Sequence, residues 1–170
     1  MLAVHGGVGS KQKGIEKECA AAVRSASLDV VKAVMHLEAE GITNCGLGSS
    51  LTADGTVECE AGWMTSKCTT FGAVAALTNT RHPSLLAKKV ADRQLHSNFA
   101  LIPAMLVVGE GANRMAEEAA DVPTCSNEQL VTTRSKEELQ RTQTLLQADG
   151  TWDTVGAISI KVSGTNEGVQ

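Results

Sequence analysis

Thr151-Trp152-Asp153-Thr154-Val155-Gly156-Ala157 places a threonine at the head of a β-branched, small-residue strand, directly after an aspartate in a glycine-marked loop. Taken alone the stretch is a strand start. It also has the chemistry of an autoproteolytic junction, in which the Thr154 hydroxyl attacks the Asp153 carbonyl, an acyl shift gives an ester, and water completes the cut. The freed α-amine, with an ordinary pKa of about 7.7–8.0, is partly unprotonated near neutral pH and can take the proton from its own hydroxyl.

Working back from this junction, Ser135-Lys136-Glu137-Glu138 has the pattern of a capping box opening a polar helix to about residue 147. Ile102 to Val108 predicts a strand, followed by a Gly109-Glu110-Gly111-Ala112 turn and a helix over 113–120 that Pro123 closes. Pro83 opens a helix to about Arg93. Thr69 to Leu77 is a near-continuous run of small apolar residues, expected to be a strand covered on both faces and paired with a strand over 56–64. At the amino end, a short strand at Leu2 to Val4 runs into His5-Gly6-Gly7-Val8-Gly9, and helices follow over 11–24 and 28–39, with Ser27 as the cap of the second and Gly41 as its stop. A last strand runs over 154–162.

The 170 residues are 42% apolar and 20% charged, enough for one domain that hides about two-thirds of its unfolded surface. A net charge of −4 with scattered Lys and Arg gives no footprint for nucleic acid or an anionic membrane. Only Trp63, Phe71, Phe99 and Trp152 are aromatic, which excludes a base-stacking platform. Five cysteines without CxxC or Cys/His spacing argue against a disulfide framework or a cysteine-based zinc site, so no metal is predicted. A reducing, intracellular and cytoplasmic setting is expected, without a signal peptide or membrane span.

Several motifs have bland readings. Gly9-Ser10-Lys11-Gln12 lacks the Gly-Lys-Ser/Thr order of a phosphate loop, and Gly46-Leu47-Gly48 lacks the third glycine of a dinucleotide fingerprint. His5, His36, His82 and His96 have no paired spacing, and Cys45 is read as a small buried residue because no His partner stands in a cysteine-protease signature.

In series, however, the motifs resemble the N-terminal nucleophile asparaginase family. The matching pieces are His5-Gly6-Gly7-Val8-Gly9, Asn44-Cys45-Gly46-Leu47-Gly48-Ser49, Asp54-Gly55-x-Val57-Glu58, Phe71 to Leu77, and Asp153-Thr154-Val155-Gly156-Ala157. Within the family, Ile102-Pro103, Val108-Gly109-Glu110-Gly111-Ala112-x-Arg114, Leu130 to Arg134 and the aspartate before Thr154 are similar to the threonine aspartase (taspase) branch. The resemblance implies an α+β, four-layer αββα fold and no cofactor. It implies an α-chain part over 1–153 and the start of a β-chain part over 154–170, divergent after about residue 160.

It further implies a threonine-type endopeptidase precursor cut between Asp153 and Thr154, with Thr154 as catalytic nucleophile. His5, Gly6, Gly7, Gly9, Asn44 and Gly46 are the site-shaping candidates. The implied partners are protein substrates with aspartate at the cut site and, in the full-length family, a homo-oligomer or α/β heterodimer. Glu60-Ala61-Gly62-Trp63-Met64 departs from the family's Asp-Ala-Ser-Ile-Met, no basic import loop precedes the junction, and the last ten residues do not match the family. The 170-residue chain is therefore expected to be poorly active or inactive. Competing expectations are a non-catalytic form that pairs with a full-length relative, and an isoaspartyl peptidase/L-asparaginase.

Overall fold

A computed structural model describes residues 1–7, 14–67, 69–96, 102–144 and 156–159. Their strands form two separate sheets. The first pairs β1 (Leu2–His5) with β5 (Gly156–Ser159), antiparallel, with Leu2 opposite Ser159 and His5 opposite Gly156. Helices α1 (Ile15–Ser25) and α2 (Val30–Ala39) pack together, α1 against β1 and α2 against both strands. The second sheet has the order β2-β3-β4, built from Cys59–Thr65, Thr70–Leu77 and Leu106–Val108. Its β2 and β3 are antiparallel and β4 is parallel to β3, the crossover carrying α3 (Pro83–Arg93). Helix α4 (Glu110–Glu118) follows β4, and α5 (Thr133–Thr144) precedes β5. The architecture is α+β, as expected.

The core lies under α3. Val74 and Leu77 of β3 meet Leu86, Ala87 and Val90 of α3 and Ala112, Met115 and Ala116 of α4, all buried. Gly72 lets α3 approach this closely, because a Cβ there would stand 2.3 Å from the Ala91 nitrogen and 2.4 Å from the Ala87 carbonyl oxygen. Burial of β3 alternates from Thr70 to Val74, which corrects the expectation of cover on both faces: Phe71 is 37% exposed. Ala76 then adopts a left-handed φ of 49°, and the pairing passes from Ala61 opposite Val74 to Cys59 opposite Leu77. The extra residue in β3 is a bulge, and it returns Leu77 to the buried face.

Other boundaries shift for identifiable reasons. Strand β2 starts at Cys59 and not at 56, because the Asn127 side chain satisfies the Val57 backbone, accepting its N–H at 3.0 Å and donating to its carbonyl at 2.8 Å. The cap of α2 is Asp29, not Ser27. Its carboxylate accepts from Val31 N at 2.9 Å and Lys32 N at 3.3 Å. Helix α4 begins at Glu110, inside the expected glycine turn, with Gly109 as its N-cap. The cap of α5 is Thr132 in place of Ser135: Thr132 Oγ1 accepts from Ser135 N at 3.1 Å, and Ser135 Oγ accepts from Thr132 N at 3.0 Å. Of the strand expected from Ile102, only Leu106–Val108 pairs, and Ile102 is 99% exposed.

Candidate active site

Two glycine-rich segments and the start of β5 come together. His5 ends β1 opposite Gly156, so the loop after β1 begins where β5 begins, two residues beyond Thr154 in the chain. His5 Nδ1 accepts the Gly7 N–H at 3.2 Å, with Gly7 in a left-handed turn at φ 99°. Gly6 seats the loop on α1, since a Cβ there would meet Cys19 Sγ at 2.7 Å. Gly9, Asp153 and Thr154 lie outside the described residues.

The second glycine segment is tied at several points. Asn44 Oδ1 accepts the Ser50 N–H at 2.8 Å, and the Arg134 guanidinium donates to the Gly48 carbonyl at 2.6 Å and the Thr43 carbonyl at 3.4 Å. Leu47 N–H donates to the Glu38 carbonyl at 2.8 Å. Gly46 has a left-handed φ of 58°, and a Cβ there would lie 2.4 Å from the Arg81 carbonyl oxygen and 2.5 Å from that of Glu38. Only glycine fits such an approach.

A cavity of about 180 Å³ lies between α2, β2 and β5, lined in part by Glu38, Cys45, Trp63, Ser84, Gly156 and Ala157. The Glu38 carboxylate is buried, yet it is well supplied with donors. Ser84 N and Ser84 Oγ each donate to it at 3.0 Å, and His82 Nδ1 stands 3.3 Å away. Glu38 of α2 thereby caps the N-terminus of α3, where a negative charge is favoured by the helix dipole. The Ser84 hydroxyl donates its hydrogen bond to this carboxylate and not to His82, so the three residues form a cap and not a serine–histidine relay.

Burial pushes the Cys45 thiol up to about 12, against the opposing effect of the Thr43 hydroxyl 2.9 Å away. A thiol that stays neutral is a poor nucleophile, which fits the reading of Cys45 as packing. On the described cavity wall, which Glu60 also lines, the Glu38 carboxylate is occupied and the Cys45 thiol is neutral.

Of the site-shaping candidates, His5, Gly6 and Gly7 stand at the β1 end and Asn44 and Gly46 brace the second loop, while their neighbour Cys45 lines the cavity. Glu38 and Ser84 were not indicated by sequence, while Trp63 and Arg134 stood in quoted motifs without a role assigned to them. A helix-borne glutamate whose partners lie more than forty residues away in the chain leaves no local signal.

The geometry describes an α+β scaffold with a cavity beside β5, and the comparisons give its family, one of hydrolases in the N-terminal nucleophile superfamily. The asparaginase family profile matches residues 17–165, and the chain belongs to that family. An isoaspartyl peptidase/L-asparaginase from Xenopus laevis is 32% identical over 96% of this chain and 56% of its own length. A plant-type L-asparaginase from Thermococcus kodakarensis is 35% identical over 68% of the chain and 40% of its own length. An isoaspartyl peptidase from Salmonella typhimurium is 42% identical over 53% of the chain and 26% of its own length. The chain thus spans about half the length, or less, of these curated relatives. Their names support the family and the isoaspartyl peptidase/L-asparaginase expectation, and do not extend to the threonine aspartase branch. Among the described residues, no helix is long and apolar enough to cross a membrane.

Proposed function

We propose that the chain carries the amino-terminal part of an amidohydrolase precursor that cuts itself between Asp153 and Thr154, with residues 1–153 as the α part of a four-layer αββα sandwich and 154–170 as the start of the β part. Thr154 Oγ attacks the Asp153 carbonyl carbon, the Asp153–Thr154 C–N bond breaks as the amine takes the proton, and water hydrolyses the resulting ester. The new α-amine then acts as base for the same hydroxyl, which attacks the amide carbonyl of the substrate.

The observation that supports this reading is the β1–β5 register. It joins the strand that begins just after Thr154 to the strand that ends in His5-Gly6-Gly7, across some 150 residues of chain, beside a cavity that Cys45 also lines. The proposed substrates are those named for the relatives, isoaspartyl peptides and L-asparagine. A second reading, cleavage of proteins after aspartate, is favoured by Asp153 itself: a site that cuts its own chain after aspartate already accommodates that residue on the acyl side.

The test uses the chain extended to the length of its relatives. Intact mass is expected to show a cut after Asp153, and Thr154→Ala is expected to abolish both the cut and turnover, a loss on the order of 10⁴-fold or more. Self-processing and turnover that persist in Thr154→Ala sink the assignment. Release of aspartate from a β-aspartyl dipeptide, set against cutting of an aspartate-containing protein loop, separates the two readings.

A further inference from the structure

Away from the cavity, the paired helices α1 and α2 bring three metal-binding side chains to one place. Glu18 of α1 and His36 of α2 meet with Oε2 and Nε2 3.1 Å apart, their side chains 20% and 24% exposed. Glu40, at the C-cap of α2, completes the group, and the ligand atoms of all three lie within 4.8 Å of one another. His36 and Glu40 are four residues apart at the end of one helix, the spacing that puts two side chains on one face. An ion pair between Glu18 and His36 explains two members of this group but not the third. A second carboxylate at the same imidazole is repelled by the first, and that repulsion is lifted when a cation sits among them.

We propose that Glu18, His36 and Glu40 form a site for a divalent transition metal of the zinc type, bound by one imidazole nitrogen and two carboxylate oxygens, with water in the remaining positions. Bonds of about 2.0–2.2 Å in a tetrahedron place neighbouring ligand atoms about 3.3–3.6 Å apart. The Glu18–His36 pair is already close to that spacing, and the ligand atom of the exposed Glu40 lies within 4.8 Å of both. The imidazole selects zinc, cobalt or nickel over magnesium and calcium, which take oxygen ligands. The metal clasps α1 to α2, and α2 in turn packs against β5 and forms one wall of the cavity through Glu38. Its role is to hold the scaffold, and it is independent of the reaction proposed for Thr154. The cysteine spacing that argues against zinc is silent on this site, which uses no thiolate.

The experiment titrates Zn²⁺ into chelator-treated full-length chain by calorimetry, follows thermal unfolding with and without the metal, and repeats the titration with Co²⁺ under absorption spectroscopy. One equivalent should bind saturably, raise the unfolding temperature, and give a Co²⁺ spectrum with no thiolate charge-transfer band. His36→Gln and Glu40→Gln should each weaken binding at least as much as the roughly 10–100-fold lost with an outer-shell partner. Glu40 is exposed at a helix end, so Glu40→Gln keeps the fold, and unchanged circular dichroism confirms that a loss of binding there is a loss of ligand. Absence of saturable binding, affinities unchanged in both variants, or a thiolate band placing the metal on cysteine would overturn the proposal. Binding without thermal stabilisation would overturn the clasp.

Discussion

Around β3, nine buried residues from β3, α3, α4 and the segment after it form one continuous cluster, whereas among the described residues neither β1 nor β5 contributes to a buried cluster. Ala3, His5 and Ile158 of the two-stranded sheet are exposed, Ile158 at 59%. The difference separates two tasks. The α3 half is held by apolar burial and close backbone approach. The β1–β5 half is held by its ladder and by helices α1 and α2, and it carries the small residues and loop that the proposed chemistry needs. Substitutions in the first half should register as lost stability, and those in the second mainly as lost processing.

The strongest way to break this contrast is Gly72→Ala. Its Cβ meets backbone atoms of α3 at 2.3 and 2.4 Å, so the helix must move off the sheet, and a loss of at least about 3 kcal/mol is expected in urea unfolding. The neighbouring-strand control is Gly62→Ala, whose Cβ would meet only Phe71 Cε2 at 3.8 Å, and which should be close to neutral. If the two cost the same, α3 is not pressed onto β3 as described.

Next in size is the link between the halves. Glu38 of α2 is the cap of α3, and Glu38→Ala leaves Ser84 N and Ser84 Oγ without their buried acceptor. A cost of about 3 kcal/mol follows, with about half of it recovered in Glu38→Gln, which keeps a neutral acceptor. Equal losses in the two variants would show that charge, and not an acceptor, is what α3 requires.

This cap also marks what the sequence could and could not reveal. Helix α3 was legible because Pro83 fixes its first turn locally, and the two glycine segments were legible because a left-handed turn such as Gly46 demands glycine. The β3 bulge at Ala76 was not, since alanine carries no signal for a positive φ, and its cause is the need to return Leu77 to the core. Helix α4 was entered late because its glycines read as a turn. At the candidate site, the loop glycines were visible, but Glu38 acts on residues distant in the chain and has no local pattern, and the motif that ends in Arg134 did not tell that its guanidinium holds the second glycine loop. The motif on which the proposed chemistry rests, Asp153-Thr154, lies outside the described residues.

A pH series sharpens the comparison on the cavity side. Cys45 is pushed up to about 12 when folded, while a thiol in the unfolded chain titrates near about 8.5. Between those values the unfolded state has released a proton that the folded state keeps. Stability should therefore be flat with respect to this thiol below about pH 8 and fall as pH rises from about 9 towards 12, by at most about 1.4 kcal/mol per pH unit. Cys45→Ser should flatten that slope, as measured by urea midpoints across the alkaline range. A slope unchanged by the substitution would assign it to other groups.

The smallest effects lie at the joint between α1 and α2, where two substitutions should act with opposite signs. Asp29 satisfies two otherwise unpaired N–H groups at the start of α2, so Asp29→Ala should cost about 1 kcal/mol. Ser27, which makes no such bond, precedes Leu28, and both adopt left-handed backbone at φ 48° and 69°. A side chain in that region costs about 1–2 kcal/mol, and a glycine gives back about 0.5–1 in chain entropy. With Leu28 already 55% exposed, Leu28→Gly loses little packing and should stabilise by about 0.5–1 kcal/mol, raising the melting temperature by about 1–4 °C. Because the joint aims α2 at β5, a Leu28→Gly chain that gained stability would separate the angle between the helices from the strain used to set it. A loss in its place would mean that the Leu28 side chain contributes packing that its exposure conceals.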